Sequence, residues 1–362
     1  MKIAILGNGQ LAQMMIESAR ELNVISIDTY PLPEIDRYGK STPEEINRWQ
    51  EKLQSYDVVT YEIENISVDL LQAVSQKTRV FPAIEALSVA QDRLLEKDNF
   101  KRLDINTNDY MAVDSFAELQ KAAKLLSLPF IIKTRRFGYD GKGQYIIKTL
   151  ECLEKAWAAL GEHPLIAESF VPFDYEVSQI ASRDQFGHIA FYPLVRNEHR
   201  DGILRETHVL MEKNELSIDA QEAVKRLLEH FDYVGTFAVE FFVKNNQLFA
   251  NEMAPRVHNS GHWSINGANA SQFENHMRAI SGENVAKIKT LAQHILMINL
   301  IAEDVPNIQL PVNSYAKSYG KSLRVGRKMG HINIVDNELE TFINSVNMIY
   351  QNIEAKPCLE EF

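Results

Sequence analysis

Glu240 and Glu252 are acids set in apolar text. VGTFAVEFF (234–242) and QLFANEM (247–253) flank KNN, the pattern of a β-hairpin. An odd number of turn residues makes Glu240 face Ala250 and puts Glu252 one diagonal step away on the same face; an even number puts the two acids on opposite faces. On one face they repel unless a proton or a cation intervenes. Mg2+ prefers carboxylate oxygens together with phosphate oxygens and water, so the hairpin is a candidate magnesium site. Immediately after it, NEMAPRVHNSGHW (251–263) crowds Arg256, His258, Asn259, Ser260 and His262 together behind a proline. An arginine fork suits a carboxylate or bicarbonate, and Asn and Ser add oriented hydrogen bonds. Any one of these residues alone reads as satisfied surface.

FGYDGKG (137–143) poses a second question, because a tight turn needs only one or two glycines. Gly138, Gly141 and Gly143 let backbone N–H groups close on an oxyanion, and Lys142 adds positive charge, which describes a phosphate cover. The GKS or GKT ending of a Walker loop is missing. Lys133, on the preceding strand, suits a phosphate contact; a loop without a ligand is the alternative. GNGQLA (7–12) follows a strand and opens a helix, and Asp28 lies near the end of the next strand. That spacing fits nicotinamide dinucleotide binding, and equally a helix N-terminus that approaches another anion or packs closely on a sheet.

The elements that must position these groups fall into blocks. Strand, glycine turn, helix and strand over 3–28, with VVTY (58–61) and a helix over 67–74, predict a small doubly wound unit up to about residue 90. A charged helix, QDRLLEKDNFKRL (91–103), leads into a region of mixed α+β order. A strand at 294–302 and a helix at 339–350 then predict a small third domain. At 362 residues, 45% hydrophobic and 24% charged, the chain has the balance of a globular protein of two or three domains.

A formal charge of −11 argues against general nucleic-acid binding, although KTRR (133–136) and KSLRVGRK (321–328) are local basic clusters, suited to small anions or to solvated surface. Cys152 and Cys358 lie far apart without CxxC or Cys/His spacing, which suggests neither a disulfide framework nor a zinc site and suits the cytosol. MKIAILGNGQ has no basic-then-apolar leader, and no apolar run approaches the ~20 residues of a membrane span. The expectation is a soluble, unsecreted protein.

Taken together, GNGQLA, VVTYEIENI (58–66), FGYDGKGQ, GTFAVEFF, NEMAPRVHNSGHW and YGKSLRVGRKMGHIN (319–333) resemble the 5-(carboxyamino)imidazole ribonucleotide synthase family, ATP-grasp enzymes of purine biosynthesis, over nearly the whole chain. The resemblance implies α/β and α+β architecture: an N-terminal Rossmann-like, doubly wound domain (1–90), an ATP-grasp domain (91–285) with the glycine loop in a subdomain at about 105–170, and a small C-terminal domain (286–362). It implies ATP- and Mg2+-dependent carboxylation of 5-aminoimidazole ribonucleotide with bicarbonate, through carboxyphosphate, in a cytoplasmic homodimer.

Carried over by residue, Arg93 and Lys133 would approach the ATP phosphates beneath a cover of Phe137, Gly138, Tyr139, Gly141, Lys142 and Gly143. Glu168, Ser169, Phe170 and Val171 would frame the adenine, Glu176 would hold the ribose, and His199 and Asn251 would line the nucleotide site. Glu240 and Glu252 become the Mg2+ ligands. Tyr139 and Asp140 would contact the aminoimidazole, with Asp140 as the candidate base. Arg256, His258 and Asn259 would hold bicarbonate and the carboxyphosphate made from it, and Lys321 and Arg327 the 5′-phosphate of the substrate. Two positions depart from the family pattern: Ala12 replaces a third glycine, and Lys317 stands where many members have histidine.

Overall fold

KIAIL (Lys2–Leu6) is buried along almost its whole length, and a strand covered on both faces needs crossover helices, which make its neighbours parallel. The computed structural model of the protein describes all residues except 21, 37, 139–142, 355–356 and 359–362. It places Lys2–Leu6 inside a four-stranded parallel sheet in the order Ser26–Tyr30, Lys2–Leu6, Val58–Tyr61, Arg79–Val80. Helices Gln10–Ser18, Pro43–Leu53 and Val68–Ser75 supply the crossovers. Thr42 and Ser67 cap the second and third of these by accepting from Glu45 and Leu70 N–H groups.

A four-stranded antiparallel sheet follows, ordered Tyr110–Val113, Leu165–Ser169, Phe130–Thr134, Gln144–Ile147. Helices Phe116–Leu125 and Cys152–Leu160 bury Leu119, Ala122, Leu153 and Ala156 against it. The hairpin Phe130–Thr134/Gln144–Ile147 carries the glycine loop at its tip.

The third sheet has nine strands, with Gln247–Ala254 at one edge, followed by Gly235–Lys244, Tyr175–Arg183 (which also pairs with the short strand Ile189–Phe191), Val195–Arg200 and Ile203–Val209. His294–Ile301, Lys328–Asp336 and Ser314–Ser318 continue that same sheet to its other edge, and helix Leu339–Tyr350 packs Phe342, Val346 and Ile349 on them. Strands from both sides of residue 286 therefore share one hydrogen-bonded ladder. Helix Glu215–His230 packs Val224, Leu227 and Leu228 against the central strands. Helix Gln272–Ser281 joins the parallel unit to this sheet: Phe273 and Met277 share a cluster with Ile3, Met14 and Met15.

Candidate active site

The hairpin turn is even. Lys244 pairs with Gln247, leaving Asn245 and Asn246, both with left-handed φ (50° and 57°), as a two-residue turn. By parity alone Glu252 would point away from Glu240. A β-bulge corrects it: Phe241 pairs with Ala250 but Glu240 with Glu252, so Asn251 is the extra residue and the two acids become direct cross-strand neighbours. Glu240 therefore faces Glu252 itself, not Ala250, and it does so without an odd turn. Burial, and then the charge of Glu252, push the Glu240 carboxyl up to about 7.

These strands form one wall of a cavity of ≈500 Å³ between the two antiparallel sheets. Arg93, Lys133, Phe137, Gly138, Glu176 and His199 line it, together with Glu240, Asn251, Glu252, Arg256, His258 and Asn259. Gly143, Glu168, Ser169, Phe170, Val171, Lys321 and Arg327 are not among its lining residues. Tyr139, Asp140, Gly141 and Lys142 lie outside the described residues.

Lys133 is held at 3.0 Å by Glu168, which also receives Asn108 Nδ2 at 3.1 Å and has Lys97 3.7 Å away. Burial alone would raise the Glu168 carboxyl, but Lys133 and Lys97 outweigh it and bring it to about 2. Glu168–Val171 is the segment that links the small sheet to the large one. Arg93 donates to Thr134 O (3.0 Å) and Gly138 O (3.1 Å), bracing the base of the glycine loop from the cavity side. Of the KTRR cluster, Arg135 forks onto Asp92 (2.9 and 2.6 Å) and Arg136 binds Gln91 (2.6 Å); these two arginines join the loop to the interdomain segment.

Ligand-capable atoms of Glu176, His199 and Glu240 lie within 4.8 Å of one another, and His199 Nδ1 is 3.2 Å from Glu176. Burial draws the His199 imidazole down, but Glu176, Glu240 and Glu252 together leave it above its ordinary value. His258 Nε2 stands 3.5 Å from Glu240, and burial with the nearby Arg256 charge keeps that imidazole neutral. Its Nδ1 lies 2.8 Å from Ser260 Oγ. Arg256 pairs with Glu64 at 2.7 Å, and Asn259 exchanges amide hydrogen bonds with Asn299 (3.1 and 2.9 Å). The turn is fixed from below by Gln272, which accepts from His258 N at 2.9 Å and donates to His258 O at 2.6 Å. A Cβ on Gly261 would sit 2.5 Å from the Gln272 amide carbon, which accounts for the glycine of NSGHW.

The first glycine turn is answered differently. Glu62 accepts from Gly9 N at 2.8 Å and Ala12 N at 2.9 Å, placing its own carboxylate at the helix N-terminus where a dinucleotide pyrophosphate would lie. A Cβ on Gly7 or Gly9 would strike that carboxylate, at 2.6 and 2.9 Å from its oxygen. Asp28 is engaged by Tyr56 OH at 2.7 Å. The nicotinamide reading is thereby set aside. Lys321 reaches Gln10 in the same turn and lies 5.5 Å over the Tyr319 ring, while Arg327 is tied to Ser322 (3.1 Å to Oγ).

Several residues escaped sequence reasoning. Glu96 and Lys97 look like solvated positions of a charged helix, yet they are 2% and 1% exposed. Burial, and then Glu252, push the Glu96 carboxyl up to about 8. Phe173 and Phe242 stack at 4.7 Å and 8° on the cavity wall. Glu62 and Glu64 lie in VVTYEIENI, Phe242 in VGTFAVEFF, and Glu96 and Lys97 in the charged helix, but no local pattern marks the burial or the partners of these residues.

A glycine-loop hairpin facing paired acids across a cleft between two antiparallel sheets defines an ATP-grasp enzyme. The ATP-grasp domain model matches residues 98–273, the ribonucleotide synthetase preATP-grasp domain model residues 1–91, and the phosphoribosylaminoimidazole carboxylase C-terminal domain model residues 296–345. An N5-carboxyaminoimidazole ribonucleotide synthase from Pseudomonas aeruginosa is 41% identical over 340 residues, covering 91% of this chain and 93% of that one. The crystal structure of the synthetase from Thermus thermophilus matches with a TM-score of 0.87 at 36% identity, over 98% of this chain and 99% of that chain. That of the Aspergillus clavatus enzyme in complex with ADP and 5-aminoimidazole ribonucleotide matches at 0.83 and 25% identity, over 97% and 98%. The chain belongs to the N5-carboxyaminoimidazole ribonucleotide synthase family, and is an ATP-dependent ligase.

Proposed function

We propose that this ligase carboxylates the exocyclic amine of 5-aminoimidazole ribonucleotide with bicarbonate, splitting ATP to ADP and phosphate, as a step of purine biosynthesis. The observation that carries this reading is the meeting, in one cavity, of Lys133, the Glu240–Glu252 pair and the Arg256–His258–Asn259 turn. Relatives of the same family supply the rest: the Aspergillus clavatus enzyme is named in complex with ADP and 5-aminoimidazole ribonucleotide.

The residues present fit a magnesium ion. Two carboxylates paired across adjacent strands, one of them pushed up to about 7, are a donor set that a divalent cation relieves, and oxygen ligands suit Mg2+ better than the nearby imidazole. Glu240 and Glu252 would hold it, and bound there it would offset charge on the β- and γ-phosphates. Lys133 places a cation on the opposite wall, with Glu168 fixing its position. The stacked Phe173–Phe242 pair offers an apolar wall for the base, and Glu176 a carboxylate for the ribose hydroxyls. Arg256, with Asn259, would orient bicarbonate so that one of its oxygens attacks the γ-phosphorus as ADP leaves.

Carboxyphosphate results, and it hydrolyses in water, so the glycine loop must cover the cavity while the amine attacks its carbonyl carbon and phosphate departs. Asp140 is the base carried over from the family, and His258, kept neutral by burial and Arg256, would hold bicarbonate by hydrogen bonding. Lys321, with the Arg327 charge nearby, suits the 5′-phosphate as a pair of cations. A cytoplasmic homodimer belongs to the same family reading.

ADP release, measured with and without each substrate, tests the proposal. Turnover should require both bicarbonate and the aminoimidazole ribonucleotide, and formate should not replace bicarbonate. Turnover that proceeds equally on formate, or without the ribonucleotide, would refute it.

A further inference from the structure

Gln247–Ala254 is an edge strand, so every second residue turns its N–H and C=O away from the neighbouring strand. Before the bulge that residue is Ala250. Its N–H donates to Asn106 O at 2.8 Å, and its C=O accepts from Lys97 Nζ at 2.9 Å and Thr107 Oγ1 at 2.7 Å. In an unbroken strand the next outward residues would be Glu252 and Ala254. The extra residue Asn251 moves the outward position to Met253, and it is the Met253 N–H that donates to Glu96 Oε1, at 2.7 Å.

Glu96 and Lys97 are adjacent on helix Arg93–Arg102, and both are buried. One grips the strand after the bulge, the other before it, at Met253 and Ala250. That odd step of three residues exists only in the bulged strand, because a regular edge turns outward in steps of two. Lys97 is fixed in turn by Thr107 and Asn108, each at 2.9 Å, so the grip has little freedom to follow a slipped strand. A one-residue slip would carry Glu252 to the opposite face.

We propose that Glu96 and Lys97 are positioning residues that select the bulged register of this edge strand and thereby aim Asn251 and Glu252 into the nucleotide cavity. The inference rests on the reading of Glu240 and Glu252 as Mg2+ ligands.

The test measures ADP affinity with and without Mg2+ by calorimetry, without turnover, in the full-length enzyme and in two conservative variants. Glu96→Gln keeps an oxygen within reach of the Met253 N–H on a side chain of the same length; Glu96→Asp keeps the carboxyl group and withdraws the oxygen. The Mg2+ enhancement of ADP binding should survive in Glu96→Gln and fall on the order of 10- to 100-fold in Glu96→Asp, with metal-free ADP binding unchanged in both. Faster hydrogen exchange at Met253 should accompany the loss in Glu96→Asp. An enhancement kept by both variants, or lost in Glu96→Gln and kept in Glu96→Asp, overturns the proposal. Absence of any Mg2+ enhancement in the wild-type enzyme, with Glu252→Gln unchanged, overturns the metal reading instead and removes the ground of this one.

Discussion

Glu240 titrates in the neutral range because it is buried beside a second carboxylate. Its folded value of about 7 stands above the ordinary 4.5, so between those values the folded protein keeps a proton that the unfolded chain has released. The contribution of Glu240 to the stability of the ligand-free enzyme should therefore fall as pH rises from about 4.5 to 7, by a few kcal/mol, and Glu96, pushed up to about 8, extends the decline beyond that window. A divalent cation must displace the same proton. Its apparent affinity should rise by up to about tenfold per pH unit below 7 and level off above, as Mg2+ titrations of the ADP-loaded enzyme at acid and alkaline pH would show. Glu240→Gln should flatten the Mg2+ profile and reduce the fall in stability between about pH 4.5 and 7; profiles unchanged in that variant would reassign the titration. Glu168 has the opposite sign, drawn to about 2 by Lys133 and Lys97 after burial has pulled it the other way. Glu168→Gln leaves Lys97 buried without its anion and should cost ~3–5 kcal/mol, visible as a fall in denaturation midpoint.

At the scale of elements, the hairpin shows what parity reasoning lacks. A two-residue turn is the condition that separates the acids, yet the bulge at Asn251 brings them together again. Bulges depend on what grips the strand from outside, and here those partners come from about 150 residues away, as Glu96 to Met253 shows. The NSGHW turn was more legible, since a glycine among polar residues marks a close approach. What it approaches, the Gln272 amide, is a tertiary fact. Gly261→Ala should overpack this contact, lower stability by ~1–3 kcal/mol and displace His258, so that kcat falls in parallel with the melting temperature. An alanine variant with wild-type melting and turnover would show that the Gln272 bracket is dispensable.

Across the whole molecule, the first and last segments are tied at both ends of one helix. Lys317, the position that departs from the family histidine, pairs with Glu17 at 2.5 Å near the end of helix Gln10–Ser18, and Lys321 meets Gln10 at its start. The Lys317–Glu17 pair is partly exposed, so Lys317→Met should cost no more than ~1 kcal/mol, and less at high salt. Lys321→Ala should behave differently, raising KM for the ribonucleotide while leaving KM for ATP unchanged; equal effects on both would remove its phosphate role. The small C-terminal domain, matched by its own family model over residues 296–345, also hydrogen-bonds to the central sheet through Ile203–Val209 and His294–Ile301. Strand order of this kind is set by which edges meet, and apolar runs carry no record of that.

Sequence by itself determined the elements, through apolar periodicity, and the family, through a run of motifs too specific to arise from glycine content alone. It also named most of the charged groups that line the cavity. Tertiary structure decided what each group answers to: the anion at the first helix N-terminus is Glu62, more than fifty residues away, Glu252 faces inward because of a bulge, and Glu96 and Lys97 are buried in what reads as a solvated helix. The reason is common to all three. Side-chain type and spacing fix what a residue can bond, whereas the partner it does bond, and the water it loses in doing so, depend on chain segments that meet only when the sheets assemble.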